Sequence, residues 1–277
     1  MEDRIPARCF FGLHITPMPT AVIAVHTPTG FVIAADGRSC RADDLSVITD
    51  TAQKVFEIKS PACALAFAVM GTAEIVATDE SGEKLNLVEE LLRLSSLQNP
   101  QRSKNLIGFM TRICCSINQS IRHMKDRGRI DAYPDYAPQE PGLRGTTIST
   151  VLVCGYFRGY PELVEARFFH DKQTLRDPDI RYTALGDERI YGSTILGKLI
   201  ESGDPRFSKY HVQMSAFDPP VQQVVEFSAK YIEAHADPAA LALDPRICRA
   251  IGGRIHIATV TRQDGFRWVQ GFEPVGG

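Results

Sequence analysis

The sequence predicts an α+β protein in which antiparallel sheets are covered by helices in layers. Two observations carry this prediction. Blocks of apolar, β-branched residues occur at the start, in the middle and at the end of the chain, and two pairs of helical segments separate them. Because no linker divides the chain convincingly, we expect one domain.

The predicted strands come in pairs. Residues 20–26 and 31–35 flank the turn residues 28–30, and residues 54–58 and 63–69 form a second pair. These runs do not alternate cleanly between apolar and polar residues, which indicates sheets that are buried on both faces. The later strands are predicted over residues 147–154, 163–169, 182–185, 255–260 and 266–269.

The helices are predicted from composition and periodicity. Residues 87–97 are rich in strong helix formers. From Leu106 to Met124, apolar residues recur at steps of three and four, which predicts an amphipathic helix. Residues 190–200 predict a short helix, and Asp218-Pro219 has the form of an N-cap followed by a proline in the first turn.

Proline and glycine interrupt the helical pattern after Gly128. Pro134, Pro138 and Pro141, together with two glycines, predict a loop over residues 129–145.

Composition narrows the functional classes. The 31 Lys+Arg against 33 Asp+Glu leave a net charge of −2, which argues against a dedicated nucleic-acid binder. No apolar run reaches the roughly 18 residues of a membrane span, and the N-terminus lacks the features of a secretory signal. The seven cysteines are odd in number and show no CxxC spacing, which argues against a disulfide framework. We therefore expect a reduced, cytoplasmic protein.

Four segments carry a resemblance to a known family. They are Thr20-Ala-Val-Ile-Ala-Val, the run from Gly30 to Asp36-Gly37-Arg38, Gln53-Lys54-Val55, and Met70-Gly71-Thr72-Ala73-Glu74. Their types and spacing resemble the start of proteasome β-type subunits and of the bacterial HslV-type protease, both N-terminal nucleophile (Ntn) hydrolases. The resemblance is specific mainly in residues 20–74. It implies a four-layer αββα sandwich of the Ntn, proteasome-like type, formed as a single domain by residues 20–277, with residues 1–19 as an N-terminal extension or propeptide.

The resemblance implies a threonine-type peptidase or amidase in which Thr20 becomes the nucleophile after removal of residues 1–19. A threonine at a free N-terminus supplies both a hydroxyl and a base, since an α-amine titrates near 8 in short peptides. Lys54 would be a buried cation that favours the alkoxide-like transition state beside Thr20 Oγ. Asp36 would hold Lys54 and balance its charge.

Two further residues complete the implied catalytic set. Arg38 would brace the loop that follows the first hairpin. The backbone N–H of Met70, expected at the start of a turn that leads into a helix, would bind the oxyanion. The reaction would need no metal and no organic cofactor. The implied partners are a peptide or protein substrate, other copies of the chain in a ring, and an ATPase, unfoldase or cap.

The sequence departs from the family pattern in three places. Pro19 precedes Thr20 and restricts the backbone at the expected cleavage point. Gly186-Asp187-Glu188 takes the place of a Gly-Ser-Gly loop, and the run Cys248–Gly253 lacks the Asp and Ser of an Asp-x-x-Ser-Gly-Gly motif. Asp187 and Asp244 are the candidates to replace the missing carboxylate.

These departures leave a second hypothesis open. The chain could be a catalytically inactive relative that keeps the fold for ring assembly or partner binding. Retained Thr20, Asp36 and Lys54 favour the enzyme, whereas Pro19 favours the inactive chain. A free Thr20 N-terminus would discriminate between them.

Other polar residues are assigned less specific roles. His170-Asp171 with Asp177 and Asp179 fits no standard set of metal ligands, so a solvated loop is the preferred interpretation. His256 lies in a predicted strand and is interpreted as a packed side chain. Cys114, on the apolar stripe of its helix, is interpreted as a core residue.

Overall fold

The computed structural model describes residues 20–41, 44–60, 62–76, 83–126, 146–170, 177–185, 188–215 and 218–275. Within these ranges, fourteen strands form two five-stranded and two two-stranded sheets. Strand pairing in all four sheets is antiparallel.

Sheet I contains the first hairpin of the domain. Its strands are β1 (Val22–Thr27), β2 (Gly30–Ala35), β12 (Arg189–Tyr191), β13 (His256–Thr261) and β14 (Gly265–Trp268). Their order is β12-β1-β2-β13-β14. All six residues of β2, the central strand, are buried, which explains why its sequence does not alternate between apolar and polar residues.

Sheet II contains the longest strands. They are β5 (Val55–Ser60), β6 (Cys63–Gly71), β9 (Thr146–Phe157), β10 (Tyr160–His170) and β11 (Asp179–Thr183). Their order is β11-β10-β9-β6-β5, so β5 is an edge strand.

Two short hairpins form the remaining sheets. In one, β3 (Ser39–Cys40) pairs with β4 (Val47–Thr49). In the other, β7 (Glu74–Val76) pairs with β8 (Lys84–Asn86).

The helices are α1 (Leu87–Leu97), α2 (Leu106–Asp126), α3 (Thr194–Glu201), α4 (Val221–Ala234), α5 (Pro238–Leu243) and α6 (Pro245–Ala250), with 3₁₀ turns at Pro100–Arg102 and Pro205–Tyr210. Asp237 and Asp244 cap α5 and α6, each with a proline in the first turn, which is a strong local start signal. No helix in the described part of the chain is long and apolar enough to span a membrane.

Three apolar clusters hold these elements together. One joins sheet II to α1 and α2. A second joins sheet I to α3, α4, α5 and α6. The third lies between the two large sheets and includes Val22, Ala35, Val55 and Met70. Burial of this apolar surface is the main favourable contribution to folding.

Several local predictions are confirmed and others are wrong. The helix over residues 87–97 and the amphipathic helix from Leu106 are confirmed. The helix predicted over residues 190–200 is in fact the end of β12 followed by α3. Asp218 does not cap α4; it has a positive φ of 49°, and α4 begins at Val221. The loop predicted over residues 129–145 lies outside the described residues.

The predicted fold class is corrected. The described residues are dominated by antiparallel strands distributed over four sheets, and two of the six α-helices have only six residues. This arrangement is not a clear four-layer αββα sandwich. The physical reason is local, because residues 39–49 and 74–86 form additional hairpins, and prolines with aspartate caps divide the segment after α4 into short helices.

Candidate functional site

The carboxylate of Asp36 is the centre of the candidate site. Asp36 directly follows β2 and is fully buried. Its Oδ1 atom accepts hydrogen bonds from the N–H of Ala21 and from Lys54 Nζ, both at 3.0 Å. Its Oδ2 atom accepts from the N–H groups of Arg38 at 3.1 Å and Gly252 at 3.2 Å. Because all four partners donate, the arrangement fits the ionised carboxylate.

Two opposing effects act on this carboxyl group. Burial raises the pKa of Asp36, and the Lys54 ammonium and the N–H groups of Gly252 and Arg38 act in the opposite direction. Lys54 is itself largely enclosed, with 13% of its side chain exposed. A buried charge needs such a partner, so Lys54 supplies the counter-charge for the buried Asp36 carboxylate.

Thr20 lies next to this carboxylate. It is 5% exposed and directly precedes Ala21, whose N–H binds Asp36. The backbone N–H of Asp36 in turn donates to the carbonyl of Ala21 at 3.1 Å. The structure therefore brings Thr20, Asp36 and Lys54 together from three separate segments of the chain.

Arg38 connects the segment after β2 to two other elements. Its Nε atom donates to Asp50 Oδ1 at 2.7 Å, and its Nη1 atom donates to the carbonyl of Arg249 in α6 at 3.0 Å. The hydrogen bond that the guanidinium donates to Asp50 raises the pKa of Arg38. Only the backbone of Arg38 contacts Asp36, so the side chain holds the surrounding loop and does not touch the carboxylate.

The structure places Met70 differently from the sequence prediction. Met70 lies inside β6, not at a turn that leads into a helix, and its side chain is buried between the sheets. The N–H of Thr72 donates to Ile148 on the side of β9. Since N–H groups alternate along a strand, the N–H of Gly71 points away from β9, beyond the start of β5 at Val55. Gly71 is therefore the better candidate donor.

Sequence reasoning missed Ser193. The β1–β12 ladder ends at the pair Val22 and Tyr191, and Thr20 and Ser193 each lie two residues beyond that pair. Ser193 Oγ donates to Asp244 Oδ2 at 2.7 Å and also caps α3. A Gly-Ser pair directly before a helical pattern was the available signal. Asp244, named from the sequence as a possible replacement carboxylate, thus contacts Ser193.

The buried ring of His235 accepts a hydrogen bond from the backbone of Ser193. The N–H of Ser193 donates to His235 Nε2 at 3.1 Å, and His235 Nδ1 lies 2.9 Å from the carbonyl of Tyr231. Because Nε2 accepts a hydrogen bond from Ser193, the ring proton lies on Nδ1, which donates to the Tyr231 carbonyl. Burial lowers the pKa of His235 to about 4, so its ring is neutral at physiological pH.

Of the other residues named from the sequence, Cys248, Asp177 and Asp179 lie within the described part of the chain. Asp187 lies outside the described residues. Cys248 is buried in α6, where burial raises the pKa of its thiol to about 12. Asp177 and Asp179 form ion pairs with Arg122 and Arg181. Among the described residues, no group of three or more His, Cys, Asp or Glu side chains is placed to hold a metal ion.

A separate cavity of about 480 Å³ lies beside the edge strand β5. Its lining residues are Gln53, Phe56, Glu57, Lys59, Leu92, Ser95, Ser96, Phe266 and Trp268. None of Thr20, Asp36 or Lys54 lines it, and its connection to the site is Gln53, the residue before Lys54. The hydrogen-bonded geometry around Asp36, and not this cavity, therefore defines the candidate site.

Comparison with known proteins shows a likeness in fold to solved structures. No family model matches the chain, and no curated protein matches it. Among solved structures, the chain is similar to a mutant of Anbu (Gly-1) from Hyphomicrobium sp. strain MC1. The TM-score is 0.50 and the identity 13%, over 91% of this chain and 85% of that chain. At this identity the likeness concerns the fold alone.

The family identification made from the sequence is corrected by these findings. The likeness to Anbu is distant, and the described sheets and short helices do not form the αββα sandwich expected of a proteasome β-type or HslV-like subunit. Residues 20–74 keep the family's residue types at the contacts described above. They do not by themselves place the chain in that family.

Proposed function

We propose that this chain is an amide hydrolase whose nucleophile is Oγ of Thr20, exposed when residues 1–19 are removed. One observation carries the proposal: the buried Asp36 carboxylate binds both the N–H of the residue after Thr20 and the ammonium group of Lys54. The distant likeness in fold to Anbu, a relative of proteasome-like Ntn hydrolases, agrees with hydrolytic chemistry.

The proposed reaction proceeds in two halves. The free α-amine of Thr20 takes the Oγ proton as Oγ attacks the substrate carbonyl, and the Gly71 N–H stabilises the oxyanion. The C–N bond then breaks, and the leaving amine takes the proton from the α-ammonium group. Water next attacks the resulting ester and gives its proton to the same amine. Cleavage of the ester releases the acid and restores Thr20.

The surrounding residues have separate roles in this proposal. Lys54 supplies a fixed positive charge near Oγ, and Asp36 keeps that charge in place. Ser193 and Asp244 would hydrogen-bond the α-amine, because Thr20 and Ser193 each lie two residues beyond the last pair of the β1–β12 ladder, Val22 and Tyr191. Peptides or proteins are the proposed substrates.

One observation favours a second candidate function. Thr20 is 5% exposed and follows Pro19, so the full-length chain has neither a free α-amine nor an accessible hydroxyl at this position. A chain that kept residues 1–19 would be a non-catalytic component for ring assembly or partner binding. In either case we propose a homo-oligomeric ring with an ATPase, unfoldase or cap as partner, which native mass spectrometry and co-purification would test.

The decisive experiment uses two forms of the protein. One is the full-length chain, followed by intact mass and N-terminal sequencing during prolonged incubation. The other begins at Thr20, released from a cleavable N-terminal fusion. Both are incubated with fluorogenic peptide amides and with an acylating β-lactone, whose attachment is located by mass spectrometry. Thr20→Ser should retain acylation, and Thr20→Ala should abolish it.

A lysine pair supplies the matched control. Lys54→Met should slow acylation by about 100-fold or more, since it removes the charge beside the developing oxyanion. Lys59→Met, in the strand β5 that follows Lys54 and with 86% of its side chain exposed, should leave the rate unchanged. If the chain beginning at Thr20 is folded yet neither hydrolyses amides nor is acylated, the hydrolase proposal is wrong and the non-catalytic function replaces it.

A further inference from the structure

His256 is a buried polar residue that the proposed reaction does not use. It is the first residue of β13, and its side chain is fully buried. The register pairs it with Ala35, the residue before Asp36. Paired residues of an antiparallel ladder point to the same face, and Ala35 faces the cluster between the sheets. The His256 ring therefore faces the layer that also contains Val55, the residue after Lys54.

Neither ring nitrogen of His256 has a hydrogen-bond partner among the described residues. Leaving a buried polar group unpaired is costly, and most such groups in native proteins are paired. The nearest aromatic contact is the Trp268 ring, edge-on with centroids 6.2 Å apart, which offers no acceptor for an N–H. A neutral imidazole in this position has one N–H and one free acceptor nitrogen.

The charges around His256 are cationic. Burial lowers the pKa of His256 to about 4, and two cations act in the same direction: Arg254, two residues earlier in the chain, and Lys54, before β5. Arg254 is engaged elsewhere, because its Nε atom donates to the carbonyl of Glu273 at 2.7 Å. Lys54 has three N–H donors, and Asp36 is the acceptor recorded for it among the described residues.

We infer that His256 is a positioning residue for Lys54: its neutral imidazole accepts a hydrogen bond from the lysine ammonium when the site is occupied. Asp36 and His256 then hold the ammonium group from two sides. The inference rests on the proposed function, because positioning matters only if Lys54 stabilises the oxyanion. It adds a residue that the sequence predicted to be merely packed.

A spectroscopic test of this contact does not depend on activity. The full chain is labelled with ¹⁵N-histidine, and the His256 ring is followed by NMR from pH 7.5 to 4 in the wild type and in Lys54→Met. His256→Gln assigns the resonance. His235, whose two ring nitrogens are both engaged, serves as an internal control in the same spectra.

A β-lactone acyl-enzyme of the chain beginning at Thr20 supplies the occupied state. On acylation, the unprotonated His256 nitrogen should shift in the direction of an accepted hydrogen bond. Lys54→Met should abolish that shift in protein treated in the same way, while the His235 resonances stay unchanged. A wild-type acyl-enzyme whose His256 nitrogen does not shift, or a shift that persists in Lys54→Met, would overturn the inference.

If the chain is never acylated, the proposed function fails separately, and a saturating peptide amide replaces the acyl group as occupant of the site. The same nitrogen should then shift on peptide addition in the wild type and not in Lys54→Met, and no shift in the wild type would overturn the inference. A change confined to the pKa of His256 would show only a through-space charge effect and would reject the hydrogen bond.

Kinetics provide the second readout. In the chain beginning at Thr20, His256→Phe keeps an aromatic ring but no acceptor, and should lower kcat by about 10- to 100-fold, the range for a lost hydrogen bond to a charged group. KM should stay within twofold. His256→Gln keeps an acceptor and should recover most of kcat. Equal losses in both variants would mean that His256 only fills space.

Discussion

The Nζ atom of Lys54 lies 3.0 Å from Oδ1 of Asp36, and this contact joins two sheets that share no strand. Asp36 extends from β2 in sheet I, whereas Lys54 precedes β5 in sheet II. An ion pair in this position couples the relative placement of the sheets to the chemistry beside Thr20. The same contact should therefore affect both stability and activity.

The first prediction concerns the charge of Asp36. Asp36→Asn keeps the shape of the side chain but leaves Lys54 without a buried counter-charge, and should lower the free energy of unfolding by about 3 kcal/mol. Asp50→Asn is the matched control, because the Asp50 side chain is half exposed and its ion pair with Arg38 should contribute less than about 1 kcal/mol. Urea denaturation measures both, and equal effects would contradict the prediction.

The second prediction concerns Ser193. Ser193→Ala removes both the N-cap of α3 and the hydrogen bond to Asp244, and should destabilise the protein by about 1–2 kcal/mol. In the chain beginning at Thr20 it should also slow acylation. Ser202→Ala, at the exposed end of the same helix, should change stability by less than about 0.5 kcal/mol. Thermal unfolding with intact-mass kinetics measures both effects, and acylation at the wild-type rate would remove Ser193 from the site.

The third prediction is an acid-dependent loss of stability through His235. Burial lowers the pKa of His235 from 6.5 to about 4, so the folded state binds its proton less readily than the unfolded state. The stabilisation is fully present above pH 6.5 and is lost as the pH falls from 6.5 to 4, by on the order of 3 kcal/mol.

His235→Gln should reduce the slope of unfolding free energy against pH in this window by about one proton. Because the pKa of His256 is lowered to about 4 as well, the double variant with His256→Gln should reduce the same slope by about two protons. Urea titrations at half-unit pH steps provide the curves. A slope that matches the wild type would show that His235 titrates normally.

The fourth prediction concerns the glycine that donates to Asp36. Gly252 has a φ of +151°, and a Cβ atom there would lie 3.0 Å from the Arg38 guanidinium. Gly252→Ala should cost about 1–3 kcal/mol through backbone strain and displacement of Arg38. Gly265→Ala has a positive φ but meets nothing within 4 Å, so it should cost less. Chemical denaturation measures the free energy of unfolding of both variants. A larger loss for Gly265→Ala than for Gly252→Ala would contradict the prediction.

The fifth prediction concerns thiol reactivity. Burial raises the pKa of Cys114 and Cys154 well above the ordinary range, and both are fully buried. A thiol reagent applied to the native protein should label the partly exposed Cys40, Cys63 and Cys115 first. Cys114 and Cys154 should react only after unfolding in urea. Peptide mapping distinguishes the sites, and rapid native labelling of Cys114 would show that α2 opens locally.

Much of the local structure was predictable from residue types. The apolar stripe from Leu106 to Met124 predicted α2, whereas Thr20, Asp36 and Lys54 were named from the resemblance of residues 20–74 to a family. The start of α4 was not predictable from Asp218-Pro219, because Asp218 takes a positive φ and Pro220 precedes the helix instead. A capping pattern indicates that a helix can begin at a position, but the backbone conformation imposed by the tertiary structure decides whether it does.

Local patterns along the chain were sufficient for α1, α2 and the strands of the two large sheets other than β12, because helix periodicity and turn residues act over a few positions. Long-range packing decided the rest. It brought the N–H of Gly252 to Asp36, turned the N–H of Gly71 away from β9 and placed His256 between the sheets. Contacts between residues so far apart in the sequence depend on strand order and register, which local residue patterns do not specify.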